Sequence, residues 1–580
     1  MNRITWSVVC ACLAAGGSVV AQQQPQQPSR DVARQSALAM RSGTSIIAGV
    51  VVSDDDAARP LRRVMVTVTT DSSPIGGRTA ITDDMGRFVV PSLPAGRYLV
   101  SASKPAYLTT AYGATRQARP GAVQTGTAIV LADGETFDLR VRLARGAVVT
   151  GTVRDESGKP VREIAVLPYF MRRSPVTGER TLTPVQTDSS FYTNSQGVYR
   201  IYGIPPGDYV LATFFGAAVD LEVPQEEDFA RALAPNKPAL VPTPVRRAGY
   251  ARTYFPSSAT LGGATTITLV AGEEREGVDL SLQLVPNSRV EGVVTGRDGR
   301  PVGSVQVRLF ETETTASPGM GIGSTNPEGR FTLVGVGPGS YNLVVVGPGQ
   351  SWATTPVVAN GDDLRVSVQL QAPVVVTGKV SVEGDTSVPL NRARLQLMPL
   401  RTAVQVFSAV NVPVQADGSF AASAMPGRYR LVATWPAGGG APEHAVRSAR
   451  VGSTDVADQD IEITEDVANV AVTFSAKVSS LSGVMSDASG RPAPEYFIIV
   501  FPKDESHWSW HARRIRQTRP DHNGRYRVQG LPPGDYLMAA VTDVDQGEWF
   551  DAAFLKTIVA ASIPITLADG EARTQDIRVR

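Results

Sequence analysis

The densest group of side chains able to do chemistry lies near the C-terminus, in the segment HWSWHARRIRQTRPDHNG (residues 507–524). Trp508 and Trp510 are two residues apart, so on a strand or an extended loop both rings would point the same way and offer a platform for sugar rings. His507 and Arg513 could donate hydrogen bonds to sugar hydroxyls. These four residues are therefore the predicted ligand-binding site. The alternative left open is that both rings cover a core edge or a neighbouring domain.

The residue types give little support for a metal or catalytic site. The chain has four histidines, which are His444, His507, His511 and His522. The spacing of His507 and His511 suits two zinc ligands on a helix, but flanking prolines favour a loop or strand. The sequence has no H-E-x-x-H motif, nucleophile elbow, Walker loop or dinucleotide-binding glycine pattern. We therefore expect a protein that is not an enzyme and that uses no metal and no cofactor.

The composition is that of ordinary globular material. Of the 580 residues, 42% are hydrophobic and 19% are charged, and the formal net charge is +1. This length predicts several domains, and a net charge so close to zero argues against a dedicated nucleic-acid binder. The 54 glycines and 41 prolines, with few aromatic residues, are typical of many short strands joined by tight turns.

The N-terminus has the pattern of an export signal. Arg3 is followed by an apolar or small-residue run that ends at Ala21, which predicts a cleaved signal peptide at residues 1–21. Both cysteines, Cys10 and Cys12, lie inside it, so the mature protein would have no disulfide. A retained membrane anchor and lipid attachment are the open alternatives. We expect a periplasmic or secreted protein without stable membrane insertion, with a Gln/Pro-rich linker at residues 22–44.

The elements that must position any site belong to a hairpin that the chain repeats five times. In the last copy, GRYRVQGLPPGDYLMAAV, two alternating strands are joined by a Pro-Gly turn. The upstream copies are GRFVVPSLPAGRYLVSA, GVYRIYGIPPGDYVLAT, GRFTLVGVGPGSYNLVV and GSFAASAMPGRYRLVA. Each copy has one tyrosine after the turn, on the face predicted to be buried: Tyr98, Tyr209, Tyr341, Tyr429 and Tyr536. We expect each ring to lie under the turn with its hydroxyl bonded to backbone.

A single hairpin is unstable, so each copy needs further strands, and the sequence supplies them. The five opening strands contain glycine and are IIAGVVV, VVTGTVR, RVEGVVT, VVTGKVS and SLSGVMS. A second strand precedes the hairpin, and in several copies a last strand follows it, as in LADGETFDLRVRL. Helical periodicity is nearly absent; the short candidates are residues 31–41 and EEDFARALA. The predicted fold class is all-β, a tandem array of five seven-stranded Greek-key β-sandwich domains.

The five predicted domains, numbered as repeats 1 to 5, span residues 45–145, 146–285, 286–372, 373–476 and 477–580. Repeat 2 also contains an insertion at residues 216–249, whose prolines and mixed charges predict an exposed excursion.

This pattern resembles the carboxypeptidase regulatory-like domain, a transthyretin-like sandwich that follows the catalytic domain in some metallocarboxypeptidases and occurs widely in bacterial envelope proteins. The resemblance rests on the opening G-x-V strand, the G-x-[FY] strand start and the P-x-G-x-Y turn. The resemblance covers residues 45–580, in which the pattern occurs five times. It does not extend to the carboxypeptidase catalytic domain. The resemblance implies a transthyretin-like or carbohydrate-binding-like fold and implies no activity.

These features predict an exported, non-catalytic scaffold or interaction protein of the bacterial cell envelope. One alternative is a carbohydrate-binding protein that uses Trp508, Trp510, His507 and Arg513; another is an accessory subunit of an envelope peptidase or transporter. The expected partner is an envelope protein or a polysaccharide, and not a nucleic acid. Solvent-facing, coplanar tryptophans favour sugar binding, whereas tryptophans buried against repeat 4 favour the scaffold. Because successive strands alternate in direction, we expect Trp549 at the opposite end of its domain and outside the site.

Overall fold

A computed structural model describes residues 42–70, 73–114, 120, 126–173, 180–185, 187, 189–214, 221–223, 246–312, 321–384, 388–401, 409–436 and 444–579. The predicted signal peptide, nearly all of the linker, both helix candidates and most of the 216–249 insertion lie outside these residues. The described part is nearly all β, and its one α-helix, α1, spans Ala552–Ile558.

The strands of the first three repeats have the following bounds. Repeat 1 contains β1 (Ser45–Ser53), β2 (Met65–Thr70), β3 (Ser73–Ile81), β4 (Arg87–Leu93), β5 (Gly96–Ser103), β6 (Thr110–Ala111), β7 (Ile129–Leu131) and β8 (Thr136–Leu143). Repeat 2 contains β9 (Ala147–Arg154), β10 (Ala165–Arg173), β11 (Arg180–Pro184), β12 (Val198–Ile204), β13 (Gly207–Phe214), β14 (Leu221–Val223), β15 (Arg246–Tyr250), β16 (Ile267–Leu269), β17 (Glu274–Arg275), β18 (Leu280–Ser281) and, at its end, β19 (Leu284–Pro286). Repeat 3 contains β20 (Ser288–Thr295), β21 (Gln306–Glu311), β22 (Gly321–Ser324), β23 (Arg330–Val336), β24 (Gly339–Val346), β25 (Trp352–Ala359) and β26 (Leu364–Gln369).

The last two repeats follow the same plan. Repeat 4 contains β27 (Val374–Glu383), β28 (Arg394–Arg401), β29 (Val410–Val412), β30 (Ser419–Ala424), β31 (Gly427–Thr434), β32 (Ala445–Val451), β33 (Thr454–Asp455), β34 (Asp460–Ile463) and β35 (Val467–Ser475). Repeat 5 contains β36 (Ser480–Ser486), β37 (Phe497–Pro502), β38 (Arg516–Thr518), β39 (Arg525–Gln529), β40 (Gly534–Val541), β41 (Ile563–Leu567), β42 (Ala572–Thr574) and β43 (Ile577–Arg578).

Repeat 3 shows the sandwich in its simplest form. One sheet has the order β23-β20-β26, in which β20 pairs antiparallel with β23 and parallel with β26. The other has the order β22-β21-β24-β25 with antiparallel pairs throughout. The alternating inward residues of both sheets, such as Val307, Phe331 and Leu343, form one buried core.

The same plan recurs along the chain. In each repeat the opening strand lies between the first hairpin strand and a parallel last strand, in the orders β4-β1-β8, β12-β9-β17, β30-β27-β35 and β39-β36-β42. Each main cluster of buried hydrophobic residues is drawn from one repeat. The expected fold class of tandem β-sandwiches is therefore confirmed, while the count of five and the domain boundaries stay predictions.

The glycine of each opening strand lies where the backbone of a later strand, or of the link between two short parallel strands, comes close. A β-carbon on Gly151 would lie 1.9 Å from the carbonyl oxygen of Val278, and one on Gly483 would lie 2.0 Å from that of Gln575. The opening glycines of the other three repeats face the same kind of oxygen at 2.0 to 2.5 Å. No side chain fits at these separations, so the parallel pairing itself requires glycine at this position.

The repeated tyrosines have the predicted structural role. Each of the five rings is at most 3% exposed. Each hydroxyl donates a hydrogen bond of 2.5 to 2.9 Å to the carbonyl oxygen four residues earlier; the acceptors are Pro94, Pro205, Gly337, Met425 and Pro532. Burial raises the pKa of all five phenols. The repeated sequence thus builds the hairpin corner and contributes no exposed chemistry.

The helix α1 was not among the expected elements. It has only seven residues, too few for a helical period to stand out in the sequence. Asp551 caps its N-terminus, with a side-chain oxygen that accepts a 2.9 Å hydrogen bond from the backbone N–H of Ala553.

Candidate functional site

The predicted site residues lie in one excursion of repeat 5, residues 503–523, which we name the bridging segment. It leaves β37 after Pro502 and forms one 3₁₀ turn at Glu505–His507, which the side chain of Asp504 caps. It then returns as β38, antiparallel to β37. His507 and His511 consequently do not share a helix face. Within the described ranges, no group of three or more His, Cys, Asp or Glu side chains is placed to hold a metal ion.

Trp508 packs on the outer face of the β37–β40 sheet. Its ring is partly buried and lies edge-on to Phe501, with ring centroids 5.7 Å apart. The indole N–H donates a 2.8 Å hydrogen bond to the carbonyl oxygen of Pro502. Ile499 and Leu555, both fully buried, belong to the same cluster. Trp508 therefore covers a core edge of its own repeat.

Trp510 also contacts an aromatic residue of its own repeat. Its ring centroid lies 5.9 Å from that of Phe550, with 44° between the planes. A β-carbon on Gly547 would come within 3.0 Å of the ring. Trp508 and Trp510 thus pack on different partners, an arrangement that favours the structural interpretation over a sugar platform.

The expectation that Trp549 lies at the opposite end of the domain was wrong. Trp549 belongs to the same hydrophobic cluster as Trp508, and its ring centroid lies 5.8 Å from that of Phe550. The cause is in β37, whose residues Ile498 to Phe501 are fully buried on both faces of the sheet. The outer face therefore needs a cover, and residues 542–562, including α1, fold back over it.

Arg513 connects repeat 5 to repeat 4. Its guanidinium donates two hydrogen bonds to the carboxylate of Asp458, at 2.8 and 3.1 Å, and a third to the carbonyl oxygen of Val446 at 2.5 Å. Arg514 donates to the same carboxylate at 3.0 Å. The side chains of Arg513 and Asp458 are only 17% and 14% exposed. Burial alone would raise the pKa of Asp458, but the two guanidinium groups outweigh it and hold that pKa below its usual value.

His507 is placed apart from Arg513. Its side chain is 37% exposed, and Nδ1 lies 3.5 Å from a carboxylate oxygen of Asp504 within the same turn. The structure therefore puts Trp508 against Phe501, Trp510 against Phe550, Arg513 at the contact with repeat 4, and His507 at the surface. The four do not converge on one cavity; their assignment to a ligand site stays a prediction.

The far end of the bridging segment contacts repeat 1. The backbone N–H of His522 donates to the carbonyl oxygen of Ala128 at 3.0 Å, and the N–H of Val130 donates to His522 Nδ1 at 3.2 Å. The imidazole also lies edge-on to Phe137, with centroids 5.1 Å apart. Asp521, which is 4% exposed, pairs with Arg97 at 3.5 Å. Repeat 5 is thus in contact with the first repeat of the array as well as with repeat 4.

Arg519 strengthens the contact with repeat 1. Its guanidinium donates to the carbonyl oxygens of Pro494 at 2.9 Å and of Gly113, and lies 5.1 Å from the ring centroid of Phe497. Burial lowers its pKa to about 10. Sequence reasoning missed Asp458, Asp521 and His522 as contact residues, because their partners lie far away along the chain. No local pattern in the sequence signals such pairs.

The fold is that of tandem β-sandwiches, and the segment after β37 contacts both repeat 4 and repeat 1. Two segments, residues 46–144 and 289–371, match the family model of the carboxypeptidase regulatory-like domain. They correspond to repeats 1 and 3, so the resemblance is confirmed there. The matched family is a regulatory-like domain, and neither segment is a carboxypeptidase catalytic domain. No curated protein matches the sequence.

Several solved structures are similar to the chain at low identity. The Bacillus anthracis TIE protein is 9% identical over 74% of this chain and 73% of its own, with a TM-score of 0.14. A Streptococcal ancillary pilin is 13% identical over 56% and 99%, with a TM-score of 0.19. The minor pilin of Streptococcus agalactiae is 15% identical over 42% and 97%, with a TM-score of 0.21. These values transfer no function to this chain. Among the residues that the structure describes, no helix is long and apolar enough to cross a membrane.

Proposed function

We propose that the chain is an exported, non-catalytic scaffold of the cell envelope, in which repeat 5 holds repeats 1 and 4 in fixed positions. The observation that carries this proposal is the bridging segment, which bonds to Asp458 of repeat 4 at one end and to the backbone at Ala128 and Val130 of repeat 1 at the other. Because the bridging segment is bonded to repeat 4 at one end and to repeat 1 at the other, it holds the outer faces of these sandwiches in a defined arrangement. A scaffold for an envelope protein requires such an arrangement.

The contacts between repeats 4 and 5 differ in their expected strength, and the strongest of those compared belongs to the bridging segment. The ion pair between Arg447 and Asp569 also joins repeats 4 and 5, but these side chains are 42% and 32% exposed, and such pairs contribute about 0 to 1 kcal/mol. Hydrogen bonds to charged groups that are largely removed from water contribute about 1.5 to 3 kcal/mol. The Asp458 cluster is therefore expected to dominate the contact between repeats 4 and 5.

The carbohydrate-binding alternative predicts a different experimental behaviour. Both tryptophans already contact aromatic partners, which leaves little free ring face for a sugar. We expect the mature protein to migrate unretarded through native gels that contain assorted polysaccharides. Trp508→Ala/Trp510→Ala should migrate as the wild type does.

Two controls make this experiment decisive. Tyr192→Ala removes an aromatic ring that is 55% exposed in repeat 2 and distant in sequence from the bridging segment. Circular dichroism checks that the double variant is folded. Retardation of the wild type and of Tyr192→Ala that the double variant loses would contradict the scaffold proposal and establish carbohydrate binding at the bridging segment.

A further inference from the structure

A cleft between repeats 4 and 5 has properties that the scaffold role does not use. Its volume is about 410 Å³, within the range of about 300 to 1,000 Å³ that is usual for small-molecule sites. Trp435 and His444 of repeat 4 line it, as do His511, Arg516 and Phe550 of repeat 5. The described residues of its wall include three arginines and two histidines, and no Asp or Glu. The part of the wall that the structure describes is therefore basic.

Among the described residues, two of the three arginines that line the cleft are paired with a carboxylate, and the third is not. Arg430 is bonded to Asp460, and Arg513 is bonded to Asp458. Within the part of the chain that the structure describes, Arg516 forms no ion pair, and its one side-chain hydrogen bond is a long one of 3.4 Å to the carbonyl oxygen of the preceding residue. Burial lowers the pKa of this guanidinium, and the opposing effects of Tyr536 and of the Asp458 carboxylate, which Arg513 and Arg514 already hold, do not offset it.

Two further polar groups at the cleft lack partners. Trp435 is 4% exposed, and its indole Nε1 is buried without a hydrogen-bond partner among the described residues. The same holds for Nδ1 of His444, whose ring lies 4.7 Å from that of Trp435. Buried polar groups are nearly always satisfied in folded proteins, so we expect water or a polar ligand in the cleft to bond to these two atoms.

The remainder of the wall indicates what kind of anion fits. Leu431, Ala433, Val446, Phe474 and Phe550 give the cleft a largely apolar surface. A strongly hydrated inorganic anion would lose its water there without replacement, whereas an apolar group gains by leaving water. We propose that the cleft binds a small organic carboxylate, whose charged end pairs with Arg516 and whose apolar body packs on this surface. The site depends on the contact between repeats 4 and 5 but not on the scaffold role.

Isothermal titration calorimetry of the full mature chain tests this site. The probes are acetate, phenylacetate and cyclohexanecarboxylate, with phenylacetamide as the neutral analogue and inorganic phosphate as the anion without an apolar body. We expect one site per chain that binds at least one of the two larger carboxylates. Acetate, phosphate and the amide should each bind about tenfold more weakly or worse, because each lacks one of the two interactions.

Variants assign the site to its residues. Arg516→Gln should weaken carboxylate binding about tenfold or more, while Arg516→Lys, which keeps the charge, should recover part of the affinity. Arg525→Gln, at an exposed position of β39, should bind as the wild type does. Absence of binding by every carboxylate at millimolar concentration would overturn the proposal. Equal affinity for phosphate or the amide, or an unchanged affinity of Arg516→Gln, would overturn it as well.

Discussion

Gly151→Ala is expected to destabilise repeat 2 by about 3 kcal/mol or more, the upper part of the range for forcing atoms into a packed interior. The new β-carbon would lie 1.9 Å from the carbonyl oxygen and 2.5 Å from the carbonyl carbon of Val278. Both are backbone atoms, so relief requires β9 to move away from the strands that pair with it. The hydroxyl of Tyr199, 2.9 Å from the same position, would lose its place at the Val278 oxygen.

Native-state hydrogen exchange of the amides in β9 and β12 measures this effect, because it reports the free energy of opening repeat 2 separately from the other repeats. Gly262→Ala is the matched control in the same repeat, since no atom lies within 4 Å of its added β-carbon. We expect the control to change the opening free energy by less than about 0.5 kcal/mol. Equal effects of the two substitutions would show that the close approach of the strands does not require glycine.

Asp458→Asn is expected to weaken the contact between repeats 4 and 5 by about 2 to 3 kcal/mol. The substitution leaves the guanidinium groups of Arg513 and Arg514, which are 17% and 20% exposed, without their shared carboxylate. Hydrogen exchange of the backbone amides in the bridging segment should become faster, because opening this segment no longer breaks the ion pairs with Asp458. Glu462→Gln, an exposed neutralisation in the same repeat, should leave this exchange unchanged.

The same carboxylate gives the contact a pH dependence of known sign. Because the folded-state pKa of Asp458 is lowered, its stabilisation is fully present above the usual pKa of aspartate, about 4, and is lost as the pH falls through the lower folded-state value. The acid-induced fall in the opening free energy of this contact, taken from exchange rates corrected for the pH dependence of intrinsic exchange, should therefore be smaller in Asp458→Asn than in the wild type. An equal acid response in both proteins would contradict the assigned role of Asp458.

Local patterns in the sequence were sufficient for most of the fold. The period-2 rows around Phe331 and Tyr341 predicted strands with one buried face, and those side chains are buried. The tyrosine corner was predictable because the hydroxyl reaches an acceptor four residues earlier, within the same turn. The opening glycines were recognised as a repeated feature, but their cause is the approach of backbone that lies up to about 130 residues later, as for Gly151 and Val278.

The candidate site was predictable only as a segment. The sequence located the unusual residues 507–524, but the partners of Arg513 and His522 are 55 and about 390 residues away, and no local period encodes such pairs. The error on Trp549 came from treating residues 542–562 as a simple connection between strands. The two apolar faces of β37 were the signal that this connection must fold back and cover the sheet.

Small-angle X-ray scattering of the mature protein tests most directly whether repeat 5 joins the fourth repeat to the first. A closed arrangement predicts a radius of gyration between about 25 and 35 Å, whereas five sandwiches placed end to end, each with its own radius of gyration of about 13 Å, would exceed about 45 Å. The scaffold account predicts that the wild type has a radius of gyration of about 25 to 35 Å. It also predicts that this radius increases when Asp458→Asn is combined with Arg97→Ala and His522→Ala. A wild-type radius of gyration above about 45 Å, as expected for domains placed end to end, would contradict the scaffold account.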